Sequence, residues 1–572
     1  MKTSGFTKLI RGGAVSSLLF LAGLQGAPAY ALPATDPPAK EKAINCLGDL
    51  QGTLSVTPQP VNLWQTATLK WNVTVPSSCT GVGVKLYVDN QIVSPTGSRT
   101  IQPIADTSAK LHATLPAALG GGRRTLATVP IKVIMPQAVT IDADYMVPTL
   151  LQALRFEENK NADGSIKDPA ARRYIYIENG VELDLSGRES IPIAGGVTLA
   201  GGRTAREEGP LLYTTIRPTA LFDTTGDNIR ITGVRIEGPD HIGVVPEDEE
   251  PNKGIGIRID GDINIKVDHN EIYGWSQAAV RVLDCDGNDG CPSGGRMLPS
   301  ENPTAVRIHD NYIHHNQREG REGYGVSVDA GAYALIERNV FDWNRHAIKA
   351  AGEPGTGYAA YRNLVLKNGG YHDTYCVPFY ICPGGVPVYH HYTHQFDVHG
   401  TETCGLHHLN CGAAGHSMYI RYNTFLYTAG YSINLRGTPG LSPFGMFIKD
   451  NVFARTSWED AVAHSATEPC CASDNLYGID TSTDLGSCDF DGDTVPDSFM
   501  ATGATWWFSS GGNKPWVYLN TSTKLRDELT LGYNGDNICD VSVNGTIYPG
   551  GRTQTLPMNP LPGGVLSTSL SH

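Results

Sequence analysis

An asparagine with an apolar residue two places later recurs along the middle of this chain, each time behind a short β-prone run. The copies are VDHNEI (267–272), IHDNYI (308–313), IERNVF (336–341), AYRNLV (360–365), IRYNTF (420–425) and IKDNVF (448–453). Their asparagines, Asn270, Asn311, Asn339, Asn363, Asn423 and Asn451, lie 41, 28, 24, 60 and 28 residues apart. A shortest period of 24 with surplus length at fixed places is what a solenoid with loop insertions produces. Helical repeats would need apolar residues at intervals of three and four between the asparagines, and that pattern is absent. A buried asparagine at the same corner of every coil can bond to the coils above and below, which accounts for the residue chosen. The pattern predicts a parallel β-helix.

A second strand follows each corner and ends at or near glycine: GIRIDG (256–261), AVRVLD (279–284), GVSVDA (325–330), AIKAAG (347–352), QFDVHG (395–400), SINLRG (432–437) and, less cleanly, DAVAHS (460–465). Side chains alternate along a strand, so Ile257/Ile259, Val326/Val328, Ile348/Ala350, Phe396/Val398 and Ile433/Leu435 face the core. The residues between them face solvent in two columns. One reads Arg258, Ser327, Lys349, Asp397, Asn434; the other reads Asp260, Asp329, Ala351, His399, Arg436, His464. A merely solvated sheet would carry threonine, serine and lysine without order. Here acids, a histidine, a lysine and an arginine converge over about four coils, roughly 15–20 Å, a length that suits several sugar units.

The loops extend this picture. From corner asparagine to first-column residue takes 10 or 11 residues in the compact coils but 34 from Asn363 to Asp397. The insertion, about 366–393, holds Tyr371, His372, Tyr375, Phe379, Tyr380, Tyr389, His390, His391, Tyr392 and the Cys376/Cys382 pair. It is expected to stand beside the columns as an aromatic wall for sugar faces, with Tyr389 and His391 touching substrate. Asn434, Arg345 and Arg421 are further candidates for contacts to an anionic sugar. A loop at 239–253 with Glu247, Asp248, Glu249 and Glu250 reads as a solvated acidic loop, and His314, His315, His346, His407 and His408 read as surface or loop residues, not metal ligands.

Composition agrees with an all-β chain. Of 572 residues, 65 are glycine and 36 proline, with 18% charged, which disfavours a helical bundle. A net charge of −14 argues against nucleic acid as the main partner. Lys2, Lys8 and Arg11, an apolar run at 15–24 and Ala29-Tyr30-Ala31 form an export signal over 1–31, and no later stretch is apolar enough to span a bilayer, so a secreted protein is expected. All 12 cysteines follow that signal. Cys285/Cys291, Cys376/Cys382 and Cys404/Cys411 are close pairs, Cys46/Cys79 and Cys488/Cys539 lie in the end segments, and Cys470 and Cys471 are adjacent. Gaps of five or six residues fit zinc poorly and disulfides well, although connectivity cannot be deduced from spacing. The expected order is a linker at 32–44, an immunoglobulin-like sandwich at 45–136 with a Cys46–Cys79 bridge, the solenoid at 138–470 and a small Asp-rich β module at 480–550. A monomer is expected.

The N-x-[IVF] coils resemble the right-handed parallel β-helix of the pectate-lyase-like superfamily over roughly 138–470, and YMVPTLLQALRF (145–156) would suit the helix that caps such a solenoid. The resemblance implies a secreted protein acting on a polysaccharide as lyase, hydrolase or epimerase, without fixing which. The segment DFDGDTVPD (489–497) places Asp489, Asp491, Asp493 and Asp497 at calcium-loop spacing but lacks the glycine and glutamate of an EF-hand. It resembles an FG-GAP or VCBS-type repeat, which implies structural Ca2+.

A lyase acting on a uronate needs a base and cations or donors for the carboxylate. Lys349 or His399 could be the base, Arg436 and Asn434 could neutralise the carboxylate, and Asp397 could orient a neighbour or hold calcium. A hydrolase needs two carboxyls, one kept protonated, and Asp329 with Asp397 is the available pair. Glycan binding or adhesion without catalysis is the third reading.

Overall fold

The computed structural model describes residues 37–550 except 63–64, 89–90, 102, 104–105, 117–118, 120–121, 135–137, 241–253, 285–304, 319–321, 354, 374–388, 392, 401–411, 438–444, 465–471, 480–482, 534–537, 545 and 549. The export signal, the acidic loop from residue 241, His407, His408 and all cysteines but four lie outside the described residues.

The first compact unit takes in residues to Thr57 together with Thr68–Thr100 and Ser108–Pro130. A linker was expected at 32–44, but Pro37–Asp49 is an α-helix. Proline is tolerated in a helix's first turn, and Ala43, Cys46 and Leu50 supply a buried stripe at helical spacing. Cys46 is bridged to Cys79 as expected. The strands form a three-stranded and a four-stranded sheet, with antiparallel pairing where Gln51–Thr57 meets Ala67–Thr74 and where Lys85–Val88 meets Thr107–Leu115. In Ala67–Thr74 buried and exposed residues alternate strictly, with Leu69, Trp71 and Val73 inside.

The second unit, from Ile131 onward, is a parallel β-helix. Its sheets have eleven, ten and nine strands, and neighbours within each sheet are three strands apart along most of the chain, so each coil gives one strand to each sheet. The solenoid runs from Ala138–Ile141 to Leu476–Tyr477. Inside lies a continuous apolar core that includes Ile257, Ile259, Val326, Val328, Ile348, Phe396, Ile433 and Leu435. The helix Val147–Arg155 buries Leu150, Ala153 and Leu154 against the first coils and so covers an otherwise open end.

The corner asparagines form a hydrogen-bonded ladder. Asn339 Nδ2 donates to Ile308 O at 2.9 Å and to Asn363 Oδ1 at 3.1 Å, while its Oδ1 accepts from the main-chain N and Nδ2 of Asn311. The ladder extends one rung past the sequence pattern, to Asn475. A short second ladder, Asn316 to Asn344, runs along the next corner.

The C-terminal module has a four-stranded antiparallel sheet, Thr483–Cys488 to Val517–Thr521, and a three-stranded sheet, Thr530–Tyr533 to Thr546–Tyr548, joined by Cys488–Cys539. Met500, Trp507 and Tyr518 pack on Val340, Leu364 and Leu426 of the solenoid. Among the described residues no helix is long and apolar enough to cross a membrane.

Candidate active site

The nine-stranded sheet carries the expected columns. Its register stacks Arg258, Arg281, Ser327, Lys349, Asp397 and Asn434 on successive strands. One position on, Asp329, Ala351, His399 and Arg436 follow Val328, Ala350, Val398 and Leu435, which are themselves in register. Asp329, Lys349, Asp397, His399 and Arg436 therefore share one face. The backbone of His464 registers with Leu435, one residue short of Arg436, where the last coil enters the sheet from a short helix, Trp458–Ala461, and its side chain lies outside the described residues.

The pairing within the columns differs from expectation in one respect. Lys349 registers with Asp397, yet its ammonium reaches back to the Asp329 carboxylate. Asp329 also takes Arg281 Nε at 3.0 Å and the Ser327 hydroxyl at 2.8 Å. Burial would raise the Asp329 carboxyl, but Lys349 and then Arg281 outweigh it and bring it down to about 2. Burial likewise works against the charge on Lys349, and Asp329 more than restores it, so the pKa is raised. An ammonium stabilised in this way is no base, which removes Lys349 from that role. It acts as a fixed positive charge.

Asp397, 1% exposed, is the hub of the second cluster. Arg436 approaches it through two nitrogens, Nε to Oδ1 at 3.0 Å and Nη2 to Oδ2 at 2.9 Å. His399 Nε2 lies 2.9 Å from Oδ2, and His394 Nε2 lies 3.2 Å from Oδ1. Burial opposes its ionisation, but His394 and His399 prevail, and the carboxyl is held well below its ordinary range. A carboxylate can only accept, so the His399 Nε2 that faces it carries a proton, while its Nδ1 is buried and has no hydrogen-bond partner. Farther along the sheet Arg258 pairs with Asp223 at 2.8 Å. The face is thus a row of mixed charge, Asp223, Arg258, Arg281, Asp329, Lys349, Asp397 and Arg436, over seven adjacent strands and about 29 Å. With Asp260, exposed on the Arg258 strand, four cations stand against four carboxylates.

Of the expected substrate contacts, Asn434 belongs to this face, with its Nδ2 3.3 Å from His394 Nδ1. Arg345 sits just before the Lys349 strand and donates to Glu322 O at 3.2 Å. Arg421 is elsewhere. It ends a strand of the eleven-stranded sheet, in register with Tyr361 and Lys449, and pairs with Asp450 at 2.6 Å. The reason is positional: Arg421 precedes its corner asparagine, and the site lies on strands that follow one. The two legs of the aromatic insertion pair as antiparallel strands, Tyr371–Asp373 with Tyr389–His391, but the side chains of Tyr389 and His391 lie outside the described residues.

Two buried histidines depart from the surface reading. His314 lies on the ten-stranded sheet, its Nε2 3.0 Å from Glu271. His346 is 1% exposed, stacked between Tyr324 and His394. His394 itself was missed. The signal was available: His346 stands two places before Ile348, and His394 two before Phe396, on strands that pair Ile348 with Phe396. Burial pushes the imidazoles of both His346 and His394 below the usual value, the former far below.

In the C-terminal module, oxygens of Asp489, Asp491 and Asp493 lie within 4.8 Å of one another. Asp497 is not in that group: its two oxygens accept from the main-chain N–H groups of Phe490 and Gly511.

No family model matches the chain, and no curated protein matches it in sequence. Solved structures show a distant structural similarity. A Geobacillus virus E2 ORF18 protein covers 73% of this chain and 86% of its own at 11% identity and TM-score 0.33. A Yersinia enterocolitica family 28 exopolygalacturonase covers 75% and 98% at 10% identity and TM-score 0.23. The cedar pollen major allergen jun a 1 covers 60% and 80% at 12% identity and TM-score 0.24.

Proposed function

We propose that this protein is a secreted polysaccharide lyase that cleaves a uronate-containing glycan by β-elimination on the exposed face of the nine-stranded sheet. The observation that carries the reading is His399, whose Nε2–H is fixed on the Asp397 carboxylate and whose Nδ1, buried in this structure, has no hydrogen-bond partner, beside the cations Lys349 and Arg436. On substrate binding His399 Nδ1 is uncovered and, in the neutral ring, takes the proton from the carbon bearing the uronate carboxylate. The electron pair left there becomes the ring double bond as the adjacent carbon–oxygen bond breaks, and the departing oxygen takes a proton from solvent. Charge building on the carboxylate meets the row of cations. The two-carboxyl hydrolase finds less support, because Asp329 and Asp397 are both held ionised and neither can serve as the acid. The Cys46–Cys79 and Cys488–Cys539 bridges support export to an oxidising compartment.

The module at 483–548 is proposed to take a structural Ca2+ at Asp489, Asp491 and Asp493. The Asp491 oxygens are buried, with Arg206 and Ser510 beside them, and Asp489 is oriented by the main-chain N–H groups of residues 491–494. Arg206 lies 3.1 Å from Asp491, a charge contact that Ca2+ would have to share or displace.

The test is a panel of uronate glycans followed by ultraviolet absorbance of unsaturated ends, with and without chelator. Absorbance that disappears in His399→Ala, with folding intact, supports the lyase. New reducing ends without unsaturation would point to a hydrolase, and binding with neither to an adhesion protein.

A further inference from the structure

We propose that His346, His394 and Asp397 form a binding site for a divalent transition-metal ion of the Zn2+ class. His346 is buried at the entry of the Lys349 strand. Its Nδ1 lies 2.6 Å from the main-chain oxygen of His394, and since a carbonyl cannot donate, the proton is on Nδ1. Nε2 therefore carries a lone pair. It is buried, has no hydrogen-bond partner, and lies 4.0 Å from the ionised Asp397 Oδ2. Asp397 Oδ2 has two donors, His399 Nε2 and Arg436 Nη2, each at 2.9 Å, and Arg436 Nη2 also lies 3.3 Å from His394 Nε2, but the buried His346 Nε2 has none, an arrangement that costs free energy unless something positive reaches it. Two bonds of about 2.1 Å can span up to about 4.2 Å, so a bound ion bridges His346 Nε2 and Asp397 Oδ2 without backbone movement.

The third ligand is in place. His394 Nε2 is 3.2 Å from Asp397 Oδ1, close to the separation of neighbouring ligand atoms around such an ion, and the three ligand atoms lie within 4.8 Å of one another. For His394 to bind through Nε2 its proton must move to Nδ1, which faces the side-chain amide of Asn434 at 3.3 Å. An amide can present nitrogen or oxygen by turning over, so Asn434 serves either state. Each histidine then has its other ring nitrogen held by an oxygen acceptor, as ligating histidines usually do, and the ion takes the place of Arg436 Nη2 beside Asp397 Oδ2 and His394 Nε2, while Arg436 Nε keeps Oδ1 and His399 keeps Oδ2.

The donor set selects the metal. Calcium prefers six to eight oxygens, whereas two imidazoles and one carboxylate suit Zn2+ and its first-row neighbours and leave a coordination position open. His394 also lines a pocket of about 450 Å³ with Thr393, Tyr431, Arg455 and Glu459, which gives an ion a way in. Metal binding here is independent of the lyase reading, although an ion would add positive charge at the end of the row where a uronate carboxylate is expected.

The experiment uses the full-length protein, stripped with chelator and returned to buffer containing calcium, so that the Asp-rich loop is saturated. Zn2+ titrated by calorimetry should bind at one equivalent per chain. Co2+ in its place should give visible absorption bands of low coordination number, without substrate present. His346→Gln and His394→Gln should each weaken Zn2+ binding at least 100-fold at unchanged circular dichroism, and should His346→Gln fail to fold, His394→Gln decides. No Zn2+ binding at micromolar concentration, or binding that persists in the folded variants, overturns the proposal. Neither result touches the test of His399→Ala on glycan.

Discussion

Asp329 and Asp342 are both buried carboxyls, and they titrate in opposite directions because of what faces them. Asp329 lies under Lys349 and Arg281 and is held at about 2. Its folded value is below the unfolded one, so its contribution is present above about pH 4 and lost as pH falls through 2. A depression of nearly two units corresponds to about 2 kcal/mol. Acid unfolding of the wild type should therefore steepen below pH 4, and Asp329→Asn should flatten that limb. At pH 7 the same variant leaves Lys349 and Arg281 facing a neutral amide and should lose about 3 kcal/mol in urea titration. Asp342, on the ten-stranded sheet, has Asn368 Nδ2 at 3.3 Å but no donor for Oδ1, and burial pushes it up to about 6. Here the folded value is above the unfolded one, so stability is lost as pH rises through 6. Asp342→Asn should leave the melting temperature nearly unchanged at pH 4 and raise it at pH 8, by the equivalent of about 2 kcal/mol.

The corner asparagine is the unit from which the coils are assembled, and its effect depends on where its rung lies. Inside the solenoid, Asn339 makes two donor and two acceptor contacts with buried partners. Truncation to alanine leaves Ile308 O and the Asn311 amides unsatisfied and should cost about 2–4 kcal/mol. Asn475, at the partly exposed last rung, should cost about 1 kcal/mol when replaced, since water can reach its partners. Urea midpoints of the two alanine variants check the difference. The coils were legible from the sequence because two periods coincide in them, the two-residue alternation that assigns Ile348 and Phe396 to the core and the asparagine that fixes the corner. What escaped was set by side-chain reach. Lys349 has Asp397 opposite and Asp329 one strand back, and a flexible four-carbon stem chooses between them on geometry that spacing does not encode. Asn475 escaped although it stands 24 residues after Asn451, because Tyr477 takes the place that Ile, Val or Phe fills in the other copies, and His394 because it stands at the strand's entry, outside the alternation used to find outward columns.

At the scale of the molecule, the outer face of the ten-stranded sheet changes character along the solenoid. The residue after each corner asparagine reads Glu271, Tyr312, Val340, Leu364, Thr424, Val452 and Leu476 on successive strands, charged or amphipathic first and mostly apolar later. That switch is a sequence signal for a covering partner, and the C-terminal module is that partner: Trp507 and Met500 bury against Val340 and Leu364, and Thr502 bonds to Thr424 at 2.8 Å. A polar contact at the foot of the module, Arg362 Nε to Thr521 Oγ1 at 2.7 Å, fixes its orientation. Burial of one tryptophan at such a seam contributes about 3 kcal/mol or more, so Trp507→Ala should loosen the module from the solenoid. Hydrogen exchange should then rise in both the module and the strands around Val340 and Leu364, while the Asn270 end of the solenoid stays protected, because each coil depends chiefly on its neighbours. Truncation after Gly478 should go further and leave an exposed apolar strip that drives self-association, visible as a concentration-dependent shift in sedimentation. If the truncated chain remains monomeric with unchanged exchange at Val340, the module is an appendage and not a cover.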